Sequence, residues 1–256
     1  MTSSTEVKQF YDNFTDTRML KYKLYGNPRI DKAVELISNY LTPDSKILDI
    51  GCGIGIVPEQ IAKKLDTGKI LACDLGENNI NYARQTVKSD KIDFFNVDVV
   101  ENFATIANKL SGVDLVTMVD VIEHLPPNSY ENLFDNLSQI TSDSAKFILT
   151  YPSPEYQIYL QQNEPEELQI IDEVIELNSL LPLAIKYGFA LEYFAYIDIW
   201  KTNQYIHCVF SKKRPCLPMP SKGVWGKIQQ KLVGYKSRLM LPFLKAKYID
   251  RPNKTK

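Results

Sequence analysis

The sequence contains few of the side chains that usually bind zinc. Among 256 residues it has two histidines and four cysteines, and no Cys-x-x-Cys pair. Structural zinc sites are built from closely spaced cysteines and histidines, so none is expected here. The cysteines are predicted to be reduced thiols, as in a cytoplasmic protein.

Long apolar segments are also missing. No run reaches the roughly 18 apolar residues that a membrane-spanning helix requires. The first residues, MTSSTEVKQFYDNF, lack the basic and then apolar order of a secretory signal peptide. These features predict a cytoplasmic protein, and the hydrophobic fraction of 44% is enough for a sizeable core.

Charge is distributed very unevenly along the chain. Residues 211–256 hold thirteen of the 30 basic residues and one of the 31 acidic residues, a net charge of +12 that leaves −13 for residues 1–210. Within this extension, residues 222–247 place tryptophan, leucine and tyrosine at helical steps beside lysines. Such a segment is typical of contact with a membrane surface, with the acidic body or a second subunit, or with nucleic acid, and the pattern leaves these alternatives open.

A glycine-rich turn follows a short apolar run in KILDIGCGIG, residues 46–55. Asp49 lies near the end of the run, and Gly51, Gly53 and Gly55 occupy alternate positions after it. Glycines at the end of a strand let backbone N–H groups approach a ligand without a Cβ clash. The pattern therefore predicts a site for a nucleotide-type cofactor.

The spacing of the turn argues against two common nucleotide sites. A dinucleotide-binding turn would place a third glycine at position 56, where the chain has Ile56. A phosphate-binding loop of the Walker type would continue with Gly-Lys-Ser/Thr, which is absent. Asp49 can instead accept hydrogen bonds from an ammonium group.

KILDIGCGIG resembles the first motif of class I S-adenosylmethionine-dependent methyltransferases. The resemblance continues in chain order through KILACD (69–74), IDFFNVD (92–98) and VDLVTMVDVIEHL (113–125), and covers roughly residues 40–210. It implies S-adenosyl-L-methionine as the cofactor, with S-adenosyl-L-homocysteine as its product.

The resemblance also implies roles for individual residues. Asp74 matches the acid that binds the ribose hydroxyls, and Asp98 matches the acid that meets the adenine amino group. The residues alone leave Asp74 open as a solvated loop acid. They also leave Asp49 open as a cap of the following turn, and Asp98 open as a surface acid or a helix N-cap. The expected cofactor site comprises Tyr11, Asp49, Gly51, Cys52, Gly53, Gly55, Asp74, Leu75, Asp98, Val99 and Val119.

Strands alternate with helices along most of the chain, which predicts an α/β fold with a doubly wound, Rossmann-like sheet. We expect seven strands, six parallel and one antiparallel. The predicted parts are lid helices over 1–41, a methyltransferase domain over 42–211 and a basic helical extension over 212–256. The acidic stretch 152–177 is longer than a usual connection and is interpreted as a lid or specificity element, or as a solvated helix.

One histidine follows the fourth predicted strand. The motif around His124 resembles the VxEH motif of ubiquinone-pathway and other small-molecule O-methyltransferases, which implies a catalytic base or an acceptor-orienting group; a structural role is the alternative. Asp120, Glu123 and His124 resemble the ExxEH metal site of small-RNA 2′-O-methyltransferases, but with Asp in place of the first Glu, so a divalent metal is not expected. His207 is predicted to be a structural histidine of a strand.

Several aromatic side chains are candidates for the pocket. Tyr22, Tyr25 and Tyr151 are expected to contact the substrate, and Tyr11 to close over the cofactor from an N-terminal helix at 4–14. Arg29 can pair with a cofactor carboxylate, although the sequence does not determine its direction.

The sequence as a whole predicts methyl transfer to a hydroxyl or carboxylate oxygen of a small molecule or peptide-like natural product, by in-line displacement. N- or C-methylation on the same scaffold is the alternative within enzymes, and an inactive cofactor-binding scaffold is the alternative outside them. DNA is not expected as a substrate, because the signature Asn/Asp-Pro-Pro-Tyr/Phe does not follow the fourth strand.

Overall fold

The computed structural model describes residues 17–212 and 224–248. It contains seven strands: β1 (Lys46–Ile50), β2 (Lys69–Asp74), β3 (Ile92–Asn96), β4 (Val113–Val119), β5 (Thr141–Pro152), β6 (Phe189–Ile197) and β7 (Tyr205–Lys212). They form one sheet in the order β3-β2-β1-β4-β5-β7-β6. β7 runs antiparallel to both of its neighbours and the other pairs are parallel, so the predicted sheet is confirmed.

The described helices are α1 (Thr17–Tyr25), α2 (Pro28–Ser38), α3 (Ile56–Ala62), α4 (Glu77–Thr86), α5 (Ala104–Ala107), α6 (Tyr130–Ile140), α7 (Pro154–Asn163), α8 (Leu177–Lys186) and α9 (Val224–Tyr248). Three short 3₁₀ turns lie at Ile122–His124, Pro127–Ser129 and Pro165–Glu167. The helix predicted at 4–14 lies outside the described residues.

Two hydrophobic clusters cover the two faces of the sheet. Leu48 and Ile50 of β1 belong to the cluster that includes Phe134 of α6, whereas Ile47 of the same strand belongs to the cluster that includes Ile37 of α2. Successive side chains of a strand point to opposite faces, so a central strand that is buried on both sides reads as an unbroken apolar run.

The order of strands reverses between β1 and β4. From β1 the chain continues outward through β2 and β3, then returns to the other side of β1 at β4. Ligands of such sheets bind outside the carboxyl ends of the strands at this switch point. The loop after β1, which is the glycine turn, lies at that place.

The acidic stretch after β5 is helical in its first part only. Residues 154–163 form α7, Pro165–Glu167 form a 3₁₀ turn, and residues 168–176 connect to α8 without regular structure. Ser153 caps α7 by accepting a hydrogen bond from the Tyr156 amide at 3.2 Å, and Pro154 occupies the first turn.

The contacts divide the chain into two units, residues 1–214 and 215–256. The second contains α9, a helix of 25 residues that continues through Gly234 and Pro242. Within the described ranges, none of the helices is both long and apolar enough to cross a membrane.

Candidate active site

A cavity of about 480 Å³ opens at the carboxyl ends of the central strands. Its size is within the usual range for small-molecule sites. Most of the residues predicted for the cofactor line it: Asp49, Gly51, Cys52, Gly53, Asp74, Leu75, Asp98, Val99 and Val119. Gly55 does not line it, and Tyr11 lies outside the described residues.

The glycine turn has a backbone that other residues rarely adopt. Gly51, Gly53 and Gly55 have φ values of 74°, 53° and 85°. A Cβ on Gly51 would lie 2.3 Å from Cγ2 of Val121, and a Cβ on Gly55 would lie 3.0 Å from the Phe94 ring. Glycine is therefore required at position 51 both by the positive φ and by the close packing on Val121. Gly55 lies where the turn passes into α3.

Asp74 joins two loops of the cavity. Its Oδ2 accepts a hydrogen bond from the Gly53 amide at 2.8 Å, and its Oδ1 accepts from the Gly76 amide at 2.8 Å and from Asn79 Nδ2 at 3.1 Å. Asn79 is buried, lines the cavity and was not anticipated from the sequence. It lies in the first turn of α4, and an asparagine there carries no local signal of a role in the site.

Asp49 lies at the base of the cavity and is 2% exposed. Thr117, its register partner on β4, donates its hydroxyl to Asp49 Oδ1 at 2.5 Å. Asp49 Oδ2 is buried and has no hydrogen-bond partner among the described residues. Burial raises the pKa of Asp49 to about 7, against the lowering effect of the Thr117 hydroxyl.

Asp98 lines the cavity and also shapes its own loop. Its Oδ1 accepts a hydrogen bond from the Val100 amide at 2.8 Å and a longer one from the Glu101 amide at 3.3 Å. These bonds close the turn after β3 and do not cap a helix, since the next helix begins at Ala104. They hold the side chain at the cavity wall.

Arg29 and Asp120 form a partly buried ion pair at the cavity, with Nη1 and Oδ2 2.8 Å apart. Asp120 has a φ of 56°, and Thr150 Oγ1 donates to its Oδ1 at 3.0 Å. Asn27 caps the start of α2 and thereby places Arg29, because its side chain accepts from the Arg29 amide at 2.9 Å. The sequence did not determine the direction of Arg29; the structure places it against Asp120.

Because both oxygens of Asp120 have partners, this residue is a poor candidate for a metal ligand. Within residues 17–212 and 224–248 there is no group of three or more histidine, cysteine or acidic side chains arranged to hold a metal ion.

His124 lies in the 3₁₀ turn after β4 and contacts the insertion. Its Nδ1 is 2.7 Å from the Ile171 carbonyl oxygen and 3.2 Å from Asp172 Oδ1, and its Nε2 is 3.9 Å from Glu123 Oε1. Burial alone would lower the pKa of His124, but Glu123, Asp172 and the Ile171 carbonyl raise it to about 9. Burial raises the pKa of Glu123 to about 8, opposed by the nearby imidazole.

The predicted aromatic residues separate into different environments. Tyr22 lines the cavity. Tyr25 is 84% exposed at the end of α1, and Tyr151 is fully buried in the hydrophobic cluster beneath the sheet, so the structure brings neither to the cavity. The cavity aromatics that sequence reasoning missed are Tyr156, Trp200 and Tyr205.

His207 is 3% exposed in β7 and lies away from the cavity lining. Burial lowers its pKa to about 4, so the ring is neutral at neutral pH. These features agree with the structural role expected from its position in a strand.

Residues 47–144 match the family model described as "Methyltransferase domain". This part of the chain is a class I, S-adenosylmethionine-dependent methyltransferase domain. The chain is 26% identical over 125 residues to ribosomal protein L11 methyltransferase of Thermotoga neapolitana, and 33% identical over 85 residues to ubiquinone biosynthesis O-methyltransferase of Acinetobacter baylyi. These matches cover 48% and 32% of this chain and only 43% and 33% of the two relatives.

Solved structures share the fold of this methyltransferase domain. Magnesium protoporphyrin IX methyltransferase of Synechocystis, solved with bound S-adenosylhomocysteine, has a TM-score of 0.62 at 14% identity, over 82% of this chain and all of the other. A TehB-like methyltransferase of Corynebacterium glutamicum has a TM-score of 0.60 at 17% identity, over 79% of this chain and 98% of the other.

The packing of the glycine turn in the methyltransferase domain can be tested with two alanine variants. Gly51→Ala must adopt a positive φ, at about 1–2 kcal/mol, and must also displace Val121, at about 1–3 kcal/mol more. Gly112→Ala is the matched control, because Gly112 has a φ of 66° and open space around its Cβ position. Denaturant unfolding should show a larger loss of stability for Gly51→Ala; equal losses would contradict the packing argument.

Proposed function

We propose that the protein transfers a methyl group from S-adenosylmethionine to a hydroxyl oxygen of a small polar molecule. The observation that carries the proposal is that His124, held by Asp172, lines the same cavity as the glycine turn of the methyltransferase domain. The name of the Acinetobacter relative, an O-methyltransferase, supports the choice of oxygen as the acceptor.

The residues of the cavity fit this cofactor. Asp49 Oδ2, buried and without a partner among the described residues, can accept a hydrogen bond from the cofactor's ammonium group. A nearby cation would also lower the raised pKa of Asp49 and keep it ionised. By the resemblance, Asp74 and Asp98 match the family's ribose-binding and adenine-binding acids, and both line the cavity.

His124 is proposed as the general base. When bound, S-adenosylmethionine would supply the methyl group from its sulfonium, with S-adenosylhomocysteine as the leaving group. The Ile171 carbonyl and Asp172 carboxylate both face Nδ1, which favours a proton on that nitrogen. We assign the uptake of the hydroxyl proton to Nε2, which lies 3.9 Å from Glu123 Oε1. The carboxylate raises the basicity of the ring, as in other histidine bases that are oriented by an acid.

The insertion side of the cavity supports a polar acceptor. Gln157 is 1% exposed, and neither its amide oxygen nor its amide nitrogen has a partner among the described residues. Gln169 Oε1 and Glu123 Oε2 are also buried and unpartnered there. Unsatisfied polar atoms of this kind cost about 1–3 kcal/mol each, so a ligand with several hydroxyl groups would gain by pairing with them.

The charges of the cavity argue against a carboxylate acceptor. Among the described residues that line it, the cations Arg29 and His124 are each paired with an aspartate, and the carboxylates of Asp74 and Asp98 add further negative charge. An anionic acceptor would be repelled. The same acids favour an amine as the second candidate acceptor, and the product identifies which atom carries the methyl group.

Cofactor binding is tested by isothermal titration with S-adenosylhomocysteine, using NAD as the control ligand. We expect binding of the first and none of the second, with Asp74→Ala weakening it by roughly 1.5–3 kcal/mol, since hydrogen bonds to a charged group are lost. Asp93→Ala, at an exposed acid on β3, is the matched control and should bind normally. Binding of NAD would overturn the cofactor assignment, and an unchanged affinity in Asp74→Ala would overturn the role of Asp74.

The role of His124 predicts a rising pH profile. Only the neutral ring accepts a proton, so kcat/KM should increase with pH until it levels near the raised pKa of His124, about 9. Asp172→Asn removes a carboxylate that raises this pKa, so the rise of kcat/KM should occur at lower pH.

His124→Gln should reduce turnover by about 10²–10⁴-fold and abolish the rise of kcat/KM with pH. The affinity for S-adenosylhomocysteine should stay unchanged. A parallel loss of turnover and cofactor affinity would mean that His124 is structural. Cofactor binding without turnover on any acceptor class would favour the inactive scaffold.

The polar acceptor site is tested with Gln157→Leu, which keeps the approximate volume and removes the amide. Because the amide has no partner among the described residues, we expect unchanged or higher thermal stability, with KM for polyhydroxylated acceptors raised about tenfold or more. Activity should be compared on monosaccharides, long-chain phenols and carboxylic acids. A preference for the apolar phenols, unaffected by the substitution, would exclude this acceptor class.

A further inference from the structure

The helix α9 presents large apolar side chains to solvent. Leu232, Tyr235, Leu239 and Phe243 recur at steps of three and four residues, which places them on one face. Each of the four side chains is between 64% and 70% exposed. In the sequence, Trp225 and Ile228 continue the same spacing toward the start of the helix. Such a continuous face is typical of an interaction surface.

Basic residues run along the same helix beside this face. Lys231, Arg238 and Lys245 follow one another at intervals of seven residues, each adjacent in sequence to an apolar position. The helix contains no acidic residue over Val224–Tyr248. A helix with both features suits a partner that is anionic at its surface and apolar just beneath it.

We propose that α9 binds the surface of an anionic lipid bilayer, lying in the plane of the membrane. A bilayer interface covers the apolar face with acyl chains and meets the lysines with anionic headgroups, so both features are satisfied together. A nucleic acid would neutralise the charge but leave the leucines and Phe243 in water. Over its described residues, α9 is not long and apolar enough to cross a membrane.

The net charge of the extension strengthens the attraction. Residues 211–256 carry +12, so the charge continues beyond α9 itself. Exposed charges are screened within about 8 Å at physiological salt. Binding should therefore require anionic lipid and decrease as salt is raised, and it does not depend on the proposed catalytic function.

The test is flotation of the full chain with vesicles of phosphatidylcholine alone or with anionic phosphatidylglycerol. We expect binding to the anionic vesicles, at least tenfold weaker without the anionic lipid. Leu239→Glu with Phe243→Glu should abolish it, and Lys231→Gln, Arg238→Gln and Lys245→Gln together should weaken it at least tenfold. The matched control neutralises three exposed lysines elsewhere, Lys63, Lys64 and Lys88, and should bind normally.

Equal binding to both kinds of vesicle, or binding to neither, would overturn the proposal. Lipid-independent dimers that Leu239→Glu dissociates would show instead that a second copy covers the face. Titration with S-adenosylhomocysteine on the same variants keeps the two proposals separate, since each should bind the cofactor product normally whatever happens to lipid binding.

Discussion

The hydrogen bond from the Gly53 amide to the Asp74 carboxylate is the contact on which the cofactor side of the cavity depends. It connects the turn after β1 to the end of β2, and the same carboxylate accepts from Gly76 and Asn79 at the start of α4. One side chain thus positions two loops. The positive φ values of the turn and the close packing of Gly51 on Val121 leave little room for another residue.

The opposite side of the cavity is organised by buried charge. Arg29 with Asp120 and His124 with Asp172 each join a residue near the sheet to one from a separate segment. Removing one member of such a pair would leave an uncompensated buried charge, which is far more costly than losing a surface ion pair. The raised pKa values of Asp49, Glu123 and His124 follow from this dense, buried arrangement, and clusters of this kind are common at functional sites.

The two parts of the chain carry opposite net charges. The part that contains the methyltransferase domain is acidic, and carboxylates line its cavity. The extension is strongly basic and carries an exposed apolar face on α9. If both proposals hold, the opposite charges separate the recognition of a small polar acceptor from the recognition of a large anionic surface.

The sequence alone determined the parallel sheet and its antiparallel strand, the glycine turn and the acids at the strand ends. These features depend on local patterns: apolar runs for buried strands, and glycines where φ is positive. Only the tertiary structure decided that Thr117 faces Asp49, that Arg29 turns to Asp120 and that Asp172 reaches His124. These pairs come from distant segments, so no local periodicity reports them. Tyr25 and Tyr151 fit the composition of a pocket equally well, but helix direction places one in water and strand alternation buries the other.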